Sequence, residues 1–410
     1  TAMRVIDGGI TAPLGFLATG RHVGIKKVKK DLALLLSQAP CQAAGCFTQS
    51  RVRAAHILWD ERIVRSGQPV RALVAISGNA NACTGSRGIW DNEEMARCLA
   101  RELGIPTEEV LTAATGVIGA AMPMDKITRG IRETVGDLSR SRTEAQNAAR
   151  AILTTDTFQK ELALEVMIKG KPVRFGAMAK GSGMIHPNMA TVLSFVTTDC
   201  AIQPALLQKA LSAAVGETYN MISVDGDTST NDMALIFANG LAENEPIEEE
   251  DECYDAFAKA LLFLHEKFAK DIVHDGEGAG KYMEVDISGA KSEQDARVLA
   301  KSVVTNNLVK TALYGEDANW GRIIAAMGGS GAYFVLEGLT MAFQSAAGRV
   351  VVMEQGEPVA FDEDEAAAVL RERDIRICIS LQDGAARAAA WGCDLTHEYI
   401  RINGEYRSRA

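Results

Sequence analysis

The sequence has few basic residues, no paired metal ligands and no long apolar run, and each shortage removes a class of function. Lysine and arginine number 43 against 53 acidic residues, for a formal net charge of -10. Binding along nucleic-acid phosphates needs a clustered basic surface, which this balance argues against. The one dense basic stretch, Lys26 to Lys30, sets four lysines around Val28 and reads as a solvated face. The eight cysteines include no Cys-x-x-Cys pair, and the six histidines include no pair four residues apart, so the usual metal-ligand spacings are missing. No Gly-x-Ser-x-Gly elbow is present. The longest candidate for a membrane segment, Ala258 to Phe263, is short and runs into His265, Glu266 and Lys267. The opening residues are turn-rich and lack the apolar region of a secretory signal. These shortages together predict a soluble, cytoplasmic protein with reduced thiols.

What is present is a globular composition, 47% hydrophobic and 23% charged, long enough at 410 residues for a large core. Short β-rich segments alternate with amphipathic helices, which predicts a layered α/β fold with helices covering sheets. Ala72 to Ser77 reads as a buried strand. Asp91 is placed to cap a helix ending at Gly104, and Thr143 with Gln146 has the spacing of a capping box. Gly170-Lys171-Pro172 suggests a hairpin turn, and Thr115-Gly116 another turn. Pro204 suits the first position of a helix running through Val215. Tyr254, Phe257, Leu261, Leu264 and Phe268 recur at helical spacing, with His265 a packed or surface residue on the same helix. Ile375, Ile377 and Ile379 alternate as in a half-buried strand, and Tyr399 to Asn403 reads as a further strand.

Two tempting motifs fail on spacing. Gly276 to Lys281 has three residues between its first Gly and the Gly-Lys, one too few for a phosphate loop, and Tyr282 follows where Ser or Thr is needed. The acidic run Asp225 to Asp232 lacks the bidentate glutamate that closes a calcium loop and reads as structural support.

The most informative segment runs from Met178 to Asp199: a glycine-rich loop, a Pro-Asn turn, then Thr191 opening a β-rich stretch. A threonine at such a junction can attack the preceding carbonyl, turning the amide into an ester that water splits after Ala190. The freed Thr191 would then carry a hydroxyl nucleophile beside an α-amine. That amine has an ordinary pKa of about 7.7–8.0 and can act as the general base. On the residues alone, most strand-opening threonines serve only β-propensity.

His186-Pro-Asn-Met-Ala-Thr191 resembles the cleavage site of the ornithine acetyltransferase (glutamate N-acetyltransferase) family. Six further segments resemble the family in the same order: residues 77–85, 114–119, 153–157, 221–232, 274–281 and 319–323. The resemblance implies self-cleavage into residues 1–190 and 191–410, which together build one α/β sandwich and pair into a heterotetramer. It implies Thr191 as the acetyl-carrying nucleophile, with Thr115 and Gly116 forming the oxyanion hole. It implies substrate-binding roles for Thr154 (with Thr155 as a rival), Lys180, Thr191, Glu277 and Asn403. Ser408 stands where the family has a terminal threonine. The implied reaction moves acetyl from N-acetylornithine to glutamate without metal or nucleotide, with acetyl-CoA a possible second donor. The alternative is an amidase or aminopeptidase with the same nucleophile, releasing the acyl group to water.

Overall fold

In a computed structural model, residues 3–186 and 192–409 are described, with side chains through Arg407. Among them, a nine-stranded sheet runs in the order Arg4–Ile6, Lys160–Ile168, Lys171–Lys180, Leu193–Thr198, Met233–Ala238, Leu32–Phe47, Val70–Asn79 and Val110–Val117. Phe16–Arg21 pairs off this path with Leu32–Phe47. A seven-stranded sheet is centred on Asp374–Ser380, Tyr282–Ala290 and Ala386–Cys393. The layered α/β fold is as the sequence pattern predicts.

The 16-residue strand Leu32–Phe47 shapes the first sheet. Its first half pairs with Val70–Asn79 and its second half with Met233–Ala238, with a break in register between Leu36 and Cys41. Such irregularities bend and twist a strand. The bend lets the far strand Val110–Val117 curl back, so that Thr115 reaches the end of Lys171–Lys180 although four strands separate the two in sheet order.

The largest apolar cluster joins the two sheets. Phe175, Val196 and Ile236 of the first sheet share it with Val285 and Ile377 of the second, and Phe257, Leu261, Leu264 and Phe268 of the helix Glu252–His274 pack there too. The helical spacing read from the sequence is therefore a core stripe. His265 is fully buried in it, and burial lowers its pKa to about 4, so the ring stays neutral. The strand Asp374–Ser380 buries its isoleucines on the helix-facing side and leaves alternate residues exposed.

Several local expectations need correction. Asp91 does not cap its helix, which begins at Gly85 and ends at the left-handed Gly104; Asp91 accepts instead from Arg87 one turn earlier at 3.1 Å. Ser141 caps the helix Arg142–Ala151, through Glu144 N, in place of Thr143. The hairpin turns at Lys169-Gly170, both with positive φ, and Lys171 and Pro172 already lie in the strand. Thr115 and Gly116 form the end of a strand, not a turn. Tyr399 to Asn403 is helical, within His397–Gly404. Thr396 caps that helix by accepting from Tyr399 N at 3.3 Å, and Arg401 pairs with Glu398 on the same face. Together with contacts to segments distant in sequence, made by Thr396, Tyr399 and Asn403, these interactions outweigh the β-propensity of its tyrosine and isoleucines.

Candidate active site

Position 191 and the bond after Ala190, where cleavage is expected, lie outside the described residues, but the strand that follows is paired on both sides. Leu193 pairs with Lys180 on one side and with Met233 on the other, and Met233 N donates to Val192 O at 2.8 Å. On the preceding side, Asp225 accepts from Met184 N and Ile185 N, both at 2.8 Å, and Thr228 Oγ1 donates to His186 O at 2.8 Å. Burial, then the positive charge of Lys301, lowers the His186 pKa to about 4, so its imidazole is neutral.

Around this junction lies a cavity of about 340 Å³, within the usual range for small-ligand sites. Its wall includes Thr115, Gly116, Thr154, Lys180, Glu277 and Asn403, so six of the residues singled out in the sequence meet there. Thr155 lines it as well. The side chain of Ser408 lies outside the described set, although its backbone belongs to the helix Tyr406–Arg409.

Lys180 donates to Thr115 Oγ1 at 3.1 Å. A hydroxyl has one proton and two lone pairs. With a lone pair engaged by the ammonium, the Thr115 proton is free to point into the cavity, at a developing oxyanion. Burial lowers the Lys180 pKa, while the charges of Asp156 and Asp232 oppose the shift. Gly116 has φ +133, and a Cβ there would lie 2.4 Å from Gly78 C and 2.6 Å from Asn79 N. Only glycine lets the two parallel strands approach so closely. Thr115→Val removes the hydroxyl at nearly constant shape. We expect kcat to fall about 10²–10³-fold, with a modest drop in melting temperature because the buried Lys180 loses an acceptor, measured by steady-state kinetics and thermal denaturation.

Glu277 supplies a carboxylate to the same wall. Its Oε1 accepts from Thr155 Oγ1 at 2.8 Å and its Oε2 from Asn403 Nδ2 at 2.5 Å. Burial raises its pKa, and these two bonds offset only part of the rise. Of the two threonines in question, Thr155 holds Glu277, while Thr154 lines the cavity and its N donates to Asp156 Oδ1 at 3.3 Å. The helix His397–Gly404 brings Asn403 in. Tyr399 OH donates to Asp225 Oδ2 at 2.9 Å, and Thr396 Oγ1 donates to Gly278 O at 2.7 Å. Gly183 makes room for the carboxylate, since a Cβ there would sit 1.9 Å from Glu277 Oε1. Gly183→Ala should displace that flexible carboxylate while leaving the fold intact. We expect a loss in kcat/KM on the order of 10²-fold, carried mainly by KM, in a substrate-saturation assay.

Beneath the cavity is a buried ion cluster that the sequence reading missed. Lys160 Nζ reaches Asp156 Oδ2 at 2.6 Å and Asp275 Oδ2 at 2.8 Å, with all three side chains 2% exposed or less. Asp156 also accepts from Gly181 N at 2.9 Å, and Asp275 from Thr157 N at 2.9 Å. Ser182 Oγ donates to Asp275 O at 2.6 Å. Burial works to raise the Asp156 pKa, but the Lys160 and Lys180 charges and the hydrogen bonds outweigh it and hold the group below its ordinary value. The cluster ties together the segments carrying Thr154, Lys180 and Glu277. Asp156 and Lys160 stand four apart, but Asp275 comes from a distant segment, so the sequence does not mark the three as a cluster. Asn231, in the acidic run read as structural support, both lines the cavity and donates to Ala80 O at 2.6 Å and Ala114 O at 2.8 Å.

The ArgJ family profile matches residues 17–408. The chain belongs to the ArgJ family. The arginine biosynthesis bifunctional protein ArgJ of Caldanaerobacter subterraneus subsp. tengcongensis is 49% identical over 406 residues, covering 99% of this chain and all of the relative. The protein of the same name from Symbiobacterium thermophilum is 50% identical over 409 residues, again 99% of this chain and all of the relative. A crystal structure of the arginine biosynthesis bifunctional protein from Bacillus halodurans aligns with a TM-score of 0.50 and 49% identity, covering 53% of this chain and 100% of that chain. Membership in the ArgJ family bears out the family resemblance drawn from the seven sequence segments. Among the described residues, no helix is long and apolar enough to cross a membrane.

Proposed function

We propose that this chain is the bifunctional acetyltransferase of arginine biosynthesis. It transfers acetyl from N-acetylornithine to glutamate, giving ornithine and N-acetylglutamate, and it also acetylates glutamate from acetyl-CoA. The observation that carries the assignment of roles is the contact of Lys180 with Thr115, at the end of a strand paired to Leu193, two residues beyond position 191.

In this reading the chain cuts itself between Ala190 and Thr191, and residues 1–190 and 191–410 remain associated. The Bacillus halodurans chain supports it: its full length matches 53% of this sequence, close to the share held by residues 191–410. The freed α-amine of Thr191 takes the hydroxyl proton as the oxygen attacks the acetyl carbonyl. Negative charge develops on the carbonyl oxygen, where the Thr115 hydroxyl and the Gly116 N–H stabilise it. The C–N bond then breaks, the proton passes to the departing amine, and ornithine leaves an acetyl ester on Thr191. Glutamate enters the same cavity, and the steps run in reverse onto its amine. This two-step exchange needs no metal or prosthetic group.

Lys180 and Glu277 give the cavity wall one cation and one carboxylate, which suits the carboxylate and ammonium of an amino acid. Thr154, Asn403 and Ser408 complete the substrate contacts. A heterotetramer of two cleaved pairs in the cytoplasm belongs to the same proposal. The test is incubation of the purified protein with N-acetylornithine and glutamate. Equal amounts of ornithine and N-acetylglutamate are expected. Release of acetate without N-acetylglutamate would overturn the assignment in favour of an amidase.

A further inference from the structure

A second cavity, of about 580 Å³, adjoins the first, and the two share Gly116, Val117, Thr154, Thr155 and Tyr406 in their walls. Its inner wall is apolar, with Ile25, Val117 and Ile402, and its outer wall carries Lys26, Lys27 and Lys29. The stretch read in the sequence as a solvated face is exposed at Lys27, Val28 and Lys29, and its residues 26–29 also line this open cavity. Lys26 is only half-exposed and donates to Leu153 O at 2.6 Å.

The stretch is held in place. The fully buried Asp31 accepts from Val23 N at 2.7 Å and from Lys26 N at 2.9 Å, and Lys126 Nζ donates to Gly24 O at 3.1 Å. The segment lies so close to the neighbouring strand that a Cβ on Gly78, whose φ is +105, would meet Lys26 Cγ at 2.9 Å and Ile25 Cγ2 at 3.0 Å. Lys27 and Lys29 are exposed, and among the described residues neither has an ion-pair partner. The one acid on the wall, Glu398, is engaged by Arg401 at 2.8 Å. An acidic protein has therefore fixed unpaired ammonium groups on the wall of an open cavity that its oxyanion-hole glycine also lines.

We propose that this cavity is the subsite for the carrier arm of acetyl-CoA, with Lys27 and Lys29 holding its phosphates and the apolar wall holding the uncharged arm. The inference rests on the acetyl-Thr191 reading above and deepens it. With the thioester carbonyl at Gly116, the acetyl carbon leaves sulfur for the Thr191 oxygen. The hydroxyl proton, carried by the α-amine, goes to the departing thiolate. N-acetylornithine carries no phosphate and makes no use of the lysines. Two donors of very different size can then share one nucleophile without sharing a binding surface.

The test compares the wild type with a Lys27→Glu/Lys29→Glu variant, using three donors with glutamate as acceptor: acetyl-CoA, N-acetylornithine and S-acetyl-N-acetylcysteamine, a thioester without phosphate. The KM for acetyl-CoA should rise about tenfold or more, as expected for reversing two solvent-facing charges. Added salt should narrow the gap by screening. The other two donors should be unaffected. An unchanged KM for acetyl-CoA, or an equal rise for all three donors, would overturn the subsite. So would a wild type that uses N-acetylornithine but not acetyl-CoA, and that result would leave the exchange reaction standing. A wild type inactive with both would sink the acetyl-transfer reading together with the subsite.

Discussion

Thr191→Ala should give one uncut chain with no transferase activity. The substitution removes both the oxygen that would attack the Ala190 carbonyl and the oxygen that would carry the acetyl group. An uncut chain also lacks the α-amine that serves as base, so the single change eliminates nucleophile and base together. Losing a nucleophile in such a unit typically costs on the order of 10⁶ in kcat. Denaturing electrophoresis should show a single band where the wild type shows two. The folded core should survive, because the junction is held by groups other than residue 191: Asp225 before it, and the pairing of Leu193 with Lys180 and Met233 after it. Thr191→Ser would keep the hydroxyl and should retain cleavage. Cleavage of the alanine variant at the same bond would show that another group cuts the chain.

Lys160→Met should be the most destabilising of the changes considered. It leaves Asp156 and Asp275 buried without the cation that lies within 2.8 Å of both. Removing one partner of a buried ion pair costs about 3–5 kcal/mol, a large part of the stability of an ordinary domain. The pH dependence identifies the cause. In the wild type the Asp156 pKa is depressed, so its contribution is full above the unfolded value of about 4 and is lost as pH falls. In the variant, burial without Lys160 would raise the Asp156 pKa. Protonation then relieves the penalty at low pH, and the deficit grows as pH rises above about 4. Urea denaturation at several pH values should therefore show the two proteins converging toward acid. A deficit that does not change with pH would assign Lys160 a packing role only.

Of the site, Thr115, Gly116, Lys180, Glu277 and Asn403 are named by the resemblance to the family and not by any local pattern of their own, and they line one cavity. The Asp156–Lys160–Asp275 cluster is not legible. Nothing near Lys160 marks it as buried, and its second carboxylate comes from a segment 115 residues away. Thr143 fails as a cap because the neighbouring Ser141 holds the extended conformation, and Asp91 fails because its helix begins two turns earlier, at Gly85, without a side-chain cap. The misassigned strand near the C-terminus fails for a related reason. Helix His397–Gly404 is fixed by Thr396, Tyr399 and Asn403 reaching Gly278, Asp225 and Glu277, all contacts distant in sequence. The bend in Leu32–Phe47, which carries Thr115 to Lys180, is likewise a property of three paired strands and not of one segment.

The most direct test of the covalent account is mass spectrometry of the enzyme quenched in the presence of N-acetylornithine and the absence of glutamate. The account predicts a fragment beginning at Thr191, one acetyl group heavier, with the group on that residue and discharged when glutamate is added. An active enzyme whose fragment stays unmodified, or whose acetyl group sits elsewhere and does not pass to glutamate, would contradict it.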